Sequence, residues 1–72
     1  MNKRDIIEYL VVFVDSFAKK HRMDSRNSFL YLQHYGALDF LEQQYNVAHT
    51  MGFNYMVNAM TDYCKRNGGN LQ

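Results

Sequence analysis

Residues 3–21 read KRDIIEYLVVFVDSFAKKH, and the fold depends most strongly on this segment. Apolar side chains recur along it at helical spacing in two adjacent stripes: Ile6, Leu10, Phe13, Phe17 and His21, and Ile7, Val11, Val14 and Ala18. The remaining face carries charged side chains, with Arg4 and Glu8 spaced as an i,i+4 ion pair. An apolar arc this wide normally packs against two neighbours. We therefore expect a long first helix that is central in the fold or shared with a second subunit.

The rest of the chain contains the capping and turn residues that are typical of short helices. Proline is absent and glycine occurs four times, which favours helices with short connections over a multi-turn β-fold. Asp24 and Thr50 are predicted N-caps, and Gly36 is predicted to end the second helix. The pattern predicts one all-α domain, a small bundle of four helices over about residues 3–21, 25–35, 38–45 and 51–67. Residues 68–72 are expected to form a frayed tail.

The later helices have their own predicted inner faces. In the second helix we expect either Phe29, Leu32 and Tyr35 or Phe29 and Leu30 to face inward. In the last helix the core stripe is predicted to contain Phe53, Met56, Val57, Met60, Tyr63 and Cys64. Its polar side is predicted to contain Asn54, Asn58, Thr61, Asp62 and Lys65.

Composition and charge exclude several classes of protein. Eight Lys and Arg against seven Asp and Glu give a formal charge of +1, far from the basic excess of a general nucleic-acid binder. Cys64 is the only cysteine, so an internal disulfide is impossible. The apolar run from Tyr9 to Val14 is too short for a membrane span, and Asp5 interrupts any signal-peptide pattern. We therefore expect a cytoplasmic protein with no membrane segment.

Catalytic and metal-binding patterns are weak in this sequence. His21, His34, His49 and Cys64 are isolated from one another and form no metal-binding motif. Cys64 lies on an apolar stripe, where a thiol is usually inert. We therefore expect no enzyme, no catalytic residue, no metal and no cofactor, although an enzyme or small-ligand protein with a pocket around His49 remains an alternative.

A DNA-binding regulator is a second alternative. The second and third predicted helices resemble a helix-turn-helix, but the segment ALDFLEQQY at 37–45 has no Lys or Arg. Recognition of DNA needs cations near phosphate as well as side chains that read base edges. DNA binding would therefore depend on a basic cluster over residues 19–26, formed by Lys19, Lys20, Arg22 and Arg26.

The surplus of aromatic residues favours an interaction surface. Six tyrosines and five phenylalanines exceed what one small core comfortably encloses. Tyrosine is common at interfaces because it offers contact area at low entropic cost and carries a polar tip. We predict partner binding through Tyr35, Tyr45, His49 and Tyr55. Two other interpretations remain open, namely rings that cover the core edges and self-association into a homodimer.

Residues 29–57, FLYLQHYGALDFLEQQYNVAHTMGFNYMV, resemble a family of small bacterial proteins that is a domain of unknown function. The family pattern has the form YLxxYGxxDFLxxxYxxxHTxxFxYxV, with Tyr35-Gly36 and His49-Thr50 as its most specific landmarks. One departure from the pattern is Ala48, where the family often has a larger aliphatic residue. The resemblance implies genes beside those of ADP-ribosyltransferase-like proteins, in arrangements like toxin–antitoxin modules. It therefore implies an antitoxin-like or adaptor role toward such a partner.

Overall fold

The computed structural model describes residues 2–71, and Met1 and Gln72 lie outside the described residues. The described chain is all-helical, with α1 (Lys3–His21), α2 (Ser25–His34), α3 (Ala37–Gln43), α4 (Tyr45–Ala48) and α5 (Phe53–Arg66). The predicted all-α class and the long first helix are confirmed. The predicted count of four helices is wrong by one, because the link after α3 itself forms the short helix α4.

The first corner follows from local capping signals. Arg22 ends α1 in the left-handed conformation, with φ +54°, and its backbone N–H contacts the carbonyls of Ala18 and Lys19. The carboxylate of Asp24 then accepts a 2.7 Å hydrogen bond from the backbone N–H of Asn27. This confirms Asp24 as the N-cap of α2 and fixes the point where the chain reverses.

Gly36 forms the second corner, between α2 and α3. Its φ of +80° is a conformation that a side chain disfavours, and it directly follows Tyr35, the last residue of α2's C-terminal turn. The prediction that Gly36 ends the second helix is confirmed. Because the chain re-enters a helix at Ala37, α3 starts one residue earlier than predicted, and it ends at Gln43 instead of residue 45.

The region before α5 departs from the sequence prediction. The hydroxyl of Thr50 donates a 2.6 Å hydrogen bond to the carbonyl of Val47, so Thr50 closes α4 instead of opening the next helix. The N-cap of α5 is Gly52, with extended backbone, and the helix begins at Phe53. The predicted N-cap at Thr50 and the predicted start at residue 51 are therefore wrong.

The core lies where α1 packs against α2, α3 and α5. Phe13 and Phe17 of α1 are fully buried, together with Leu32, Leu41 and Cys64. Ser28 is also fully buried, and its hydroxyl donates a 2.8 Å hydrogen bond to the carbonyl of Val14. A side chain this small lets α2 approach the backbone of α1 closely.

Several predicted faces are corrected by the structure. Ile7, Val11, Phe29 and Leu30 are 52%, 59%, 43% and 47% exposed, although the stripes placed them inward. Tyr9 is buried instead, because its ring stacks on Phe53 at 5.2 Å, a partner that is distant in sequence. Thr61, assigned to the polar side of the last helix, is buried as well.

The chain beyond α5 contacts the bundle. The backbone N–H of Gly69 donates a 2.8 Å hydrogen bond to the carbonyl of Cys64. The backbone N–H of Leu71 donates to the hydroxyl of Tyr31 at 3.3 Å, and the side chain of Leu71 packs against the core. Of the tail predicted over 68–72, residues 68–71 therefore fold back on α2 and α5, while Gln72 lies outside the described residues.

Candidate functional site

The four predicted partner-binding residues lie in three separate environments. Tyr45 and His49 form one pair around α4, Tyr35 packs near the C-terminal end of α2, and Tyr55 stands on the outer side of α5. Tyr35 and Tyr45 are half-buried, whereas His49 and Tyr55 are exposed. The structure therefore brings together only two of the four, and the others must be judged by their own surroundings.

Tyr45 and His49 are held together by α4. Their rings stack with centroids 4.6 Å apart and planes 13° apart, and the edge of Tyr45 meets Tyr9 at 5.5 Å. The Nδ1–H of His49 donates a 2.7 Å hydrogen bond to the carbonyl of Tyr45, since a carbonyl can only accept. This arrangement anchors α4 to α1 and holds the His49 ring in one orientation at the surface.

Tyr35 has a mainly structural environment. Its ring meets Tyr31 edge-on at 4.8 Å and His34 at 4.6 Å. It also lines a wide, open depression with Leu30 and Gln33. The half-buried ring packs against the core and so is only partly accessible to a partner.

Tyr55 borders an apolar groove between α3–α4 and α5, which we call the α3–α5 groove. The groove has a volume of about 420 Å³. Its described lining residues are Phe40, Gln44, Val47, Ala48, Met51, Tyr55, Met56, Ala59, Met60, Tyr63 and Arg66. Val47, Met51 and Tyr55 are 60%, 40% and 61% exposed, so its rim is made of large apolar side chains that face solvent.

The groove combines a deformable apolar wall with a few polar groups. Met51, Met56 and Met60 supply unbranched side chains that adapt to irregular shapes. Phe40 and Tyr63 meet with ring centroids 5.0 Å apart and link the two walls. Among the described lining residues, Arg66 is the one that carries a full charge. Such a surface suits an apolar ligand with an acidic group at one end.

The sequence did not predict this groove. It named Tyr55 but assigned residues 46–49 to a link, so Val47 and Met51 were not identified. The signal that could have identified them is the apolar pair Val47-Ala48 close to Met51. These side chains line the groove because residues 45–48 form the helical turn α4.

Residues 8–67 match the model of a family described as "Protein of unknown function (DUF3791)". The chain belongs to the DUF3791 family. The predicted resemblance to a domain of unknown function is thereby confirmed. The matched region contains α2 to α5 and most of α1, and with them the whole α3–α5 groove. No curated protein and no solved structure matches the chain.

The Cys64 thiol of this DUF3791 protein is a poor nucleophile. It is fully buried, and burial raises the pKa of its thiol from the ordinary 9.0 to about 11. A nucleophilic cysteine needs the opposite shift, toward a thiolate at neutral pH. Burial likewise raises the pKa of the Tyr9 and Tyr31 hydroxyls, so these also stay protonated. The Cys64 thiol therefore has a packing role in the core.

The three histidines lie on different parts of the fold: His21 ends α1, His34 ends α2 and His49 follows α4. His21 Nε2 lies 2.9 Å from the hydroxyl oxygen of Thr61, whose own proton goes to the carbonyl of Val57 at 2.8 Å. The histidine therefore donates through Nε2–H. Within residues 2–71, no group of three or more His, Cys, Asp or Glu side chains could hold a metal ion.

The basic cluster lies at the corner between α1 and α2. Lys19, Lys20, Arg22 and Arg26 are all exposed there. Two acidic side chains share this corner, since Asp24 caps α2 and Asp15 accepts a 2.6 Å hydrogen bond from Ser25.

Over the described part of the chain, no helix is long and apolar enough to cross a membrane.

Proposed function

We propose that this DUF3791 protein is a protein-interaction module that holds an amphipathic helix of its partner in the α3–α5 groove. One observation carries the proposal: the groove is rimmed by Val47, Met51 and Tyr55, whose side chains are 60%, 40% and 61% exposed. Clustered apolar side chains beside a groove mark interaction sites on small proteins. A tyrosine at the edge adds contact area and a hydroxyl for a hydrogen bond.

The dimensions of the groove favour a helical ligand. Tyr55 and Arg66 lie eleven residues apart on α5, a distance of about 16 Å along the helix axis at 1.5 Å per residue. This length accommodates about three turns of a partner helix, with apolar anchors at positions i, i+4 and i+7. The methionines of the groove let it close around branched or aromatic anchors.

The charge at the groove's end specifies the ligand further. Arg66 is a charged lining residue at the C-terminal end of α5, and its guanidinium can bind a carboxylate through two hydrogen bonds. The preferred partner segment is therefore an apolar helix face with an Asp or Glu at one end. Tyr45 and His49, on α4, extend the proposed surface beyond the groove.

The first partner to test is an ADP-ribosyltransferase-like protein, as the sequence resemblance implies. An antitoxin-like or adaptor role would place the partner's helix in the groove and so restrain or position the enzyme. This assignment depends on the resemblance and is separate from the groove itself.

The test compares Tyr55→Asp with Asn58→Asp in titrations of the purified candidate partner. Both positions are exposed on α5, and both variants add the same charge. We expect Tyr55→Asp to weaken binding by about 30-fold or more, because it removes a tyrosine contact and places a carboxylate against the apolar face of the partner, while Asn58→Asp binds like wild type. Equal binding by wild type and Tyr55→Asp would reject the groove as the binding site.

A DNA-binding role predicts a different result. It would act through Lys19, Lys20, Arg22 and Arg26, which lie outside the groove. A mobility-shift assay at low salt checks this alternative, since phosphate contacts are strongest there. We expect no shift, and a salt-sensitive shift lost on charge removal at Lys19 and Arg22 would favour DNA binding.

A further inference from the structure

A second apolar surface lies on another part of the molecule, and we call it the α1–α2 face. Its described lining residues are all apolar: Ile7, Leu10, Val11, Val14, Phe29 and Leu38. They surround a shallow depression of about 210 Å³. Ile7 and Val11 are 52% and 59% exposed, and Phe29 is 43% exposed. This face shares no lining residue with the α3–α5 groove.

We propose that a second copy of this chain covers the α1–α2 face, with the two α1 helices antiparallel across a two-fold axis. The face carries both projecting side chains and the depression beside them, so two copies can fill each other's depression. A two-fold axis that crosses α1 near residue 9 places Ile7 of one copy opposite Val11 of the other, and the reverse pair follows by symmetry.

The charges along α1 favour this antiparallel arrangement. The helix begins with Lys3 and carries Asp15 three turns later, and both side chains are exposed. Arg4 is paired with Glu8 on its own helix, 3.5 Å away, and Asp15 also accepts the hydrogen bond from Ser25. The register that pairs Ile7 with Val11 also places Lys3 of one copy opposite Asp15 of the other. A parallel arrangement would instead place Lys3 beside Lys3 and Asp15 beside Asp15, which is repulsive. The pairing of Lys3 with Asp15 therefore favours the antiparallel orientation.

The size and net charge of the chain are compatible with a dimer. A standard interface of roughly 800 Å² on each partner is about one sixth of the 4951 Å² surface of this chain. One long side of a molecule measuring 33 by 22 by 20 Å can supply such an area. A formal charge of +1 creates little repulsion between two copies. A chain this small also buries only about 60% of its unfolded surface on folding alone, so a dimer interface would add needed apolar burial.

Sedimentation velocity over a hundredfold range of concentration tests the proposal with a matched pair of variants. Val11 and Val12 are 59% and 48% exposed, but consecutive helical residues point about 100° apart, and only Val11 lines the face. We expect wild type to show a monomer–dimer equilibrium. Val11→Asp should raise the dissociation constant by roughly 100-fold or more, because the dimer would bury a carboxylate, whereas Val12→Asp should leave it unchanged.

A charge-reversal pair tests the orientation without a large change in the apolar surface. Asp15→Lys should weaken the dimer, and adding Lys3→Asp should restore it, while circular dichroism checks that each variant keeps its helical content. Wild type that stays monomeric at every concentration would overturn the proposal. Equal weakening by Val11→Asp and Val12→Asp would do the same, and failure of Lys3→Asp to rescue would overturn the antiparallel register.

Discussion

The α1–α2 face and the α3–α5 groove are both apolar, but they are built from different side chains. Branched aliphatic residues such as Ile7, Val11 and Val14 dominate the face, and its described lining has no polar side chain. The groove has three methionines and two tyrosines, together with Gln44 and Arg66. Branched side chains hold one shape, whereas methionines adapt and polar groups select an orientation.

This difference indicates two kinds of partner. A rigid surface without hydrogen-bonding side chains resembles a domain core cut in half, as at permanent homodimer interfaces. A deformable groove with a tyrosine hydroxyl and one guanidinium resembles a site for a foreign helix. Each surface can therefore be disrupted alone, or both can be disrupted together through the shared core.

Removing the ring of Phe13 should have the largest effect, because it disrupts both surfaces at once. Phe13 is fully buried in the core beneath α1 and contacts the rings of Tyr9, Phe17 and Phe53. Phe13→Ala should lower the free energy of unfolding by about 3–5 kcal/mol, enough to unfold much of a small domain. Urea denaturation measures this loss, and a cost below about 1 kcal/mol would contradict the described core.

The reactivity of the Cys64 thiol measures how readily the core opens around α5. Its pKa of about 11 is raised from 9.0 by burial, so at pH 8 the native thiol should react with iodoacetamide at least about 100-fold more slowly than in urea. Because the folded thiol holds its proton more tightly, stability should fall as pH rises from about 9 to 11. Fast labelling of the native protein would show that the α5 side opens readily.

Gly36 joins the elements that carry the two surfaces, since it links α2 to α3. An added Cβ would lie 3.8 Å from the hydroxyl of Tyr63, an ordinary contact, so the cost of Gly36→Ala comes from the backbone at φ +80°. We expect a loss of about 1–2 kcal/mol in thermal or urea unfolding. Gly52→Ala is the matched control, because nothing lies within 4 Å of a Cβ there and its φ is −65°.

Arg22→Gly should have the smallest effect and leave both surfaces intact. Arg22 holds φ +54° at the end of α1, a conformation in which glycine avoids steric strain. The variant should gain about 0.5–1 kcal/mol of stability, measured by urea unfolding, with dimer and partner binding unchanged. A loss of stability would mean that the Arg22 side chain contributes more than its strained backbone costs.

Local signals in the sequence predicted much of the fold. The extent of α1, the Asp24 cap and the turn at Gly36 depend on neighbours within a few residues, and all three agree with the structure. The predicted N-cap at Thr50 is wrong because the end of α4 and the start of α5 compete for the same hydroxyl. That hydroxyl donates its hydrogen bond to the carbonyl of Val47, at the end of α4. That competition cannot be read from cap preference alone.

The faces of the helices depend on distant residues and were harder to predict. Burial of Tyr9 requires Phe53 and the carbonyl of Ala48, which accepts a 3.4 Å hydrogen bond from the tyrosine hydroxyl. Burial of Thr61 similarly requires His21, forty residues away. Of the exposed rim residues of the groove, the sequence singled out Tyr55 alone, because Val47 and Met51 join it in one surface only when α4 forms.

We propose that the two apolar surfaces bind independently, one to a second copy and one to a partner helix. The most direct test is light scattering of wild type, Val11→Asp and Tyr55→Asp, each alone and mixed with the purified partner. We predict that wild type forms a complex with two copies of this chain, that Val11→Asp forms one with a single copy, and that Tyr55→Asp stays dimeric without partner. Loss of both dimer and partner in either variant would contradict the claim.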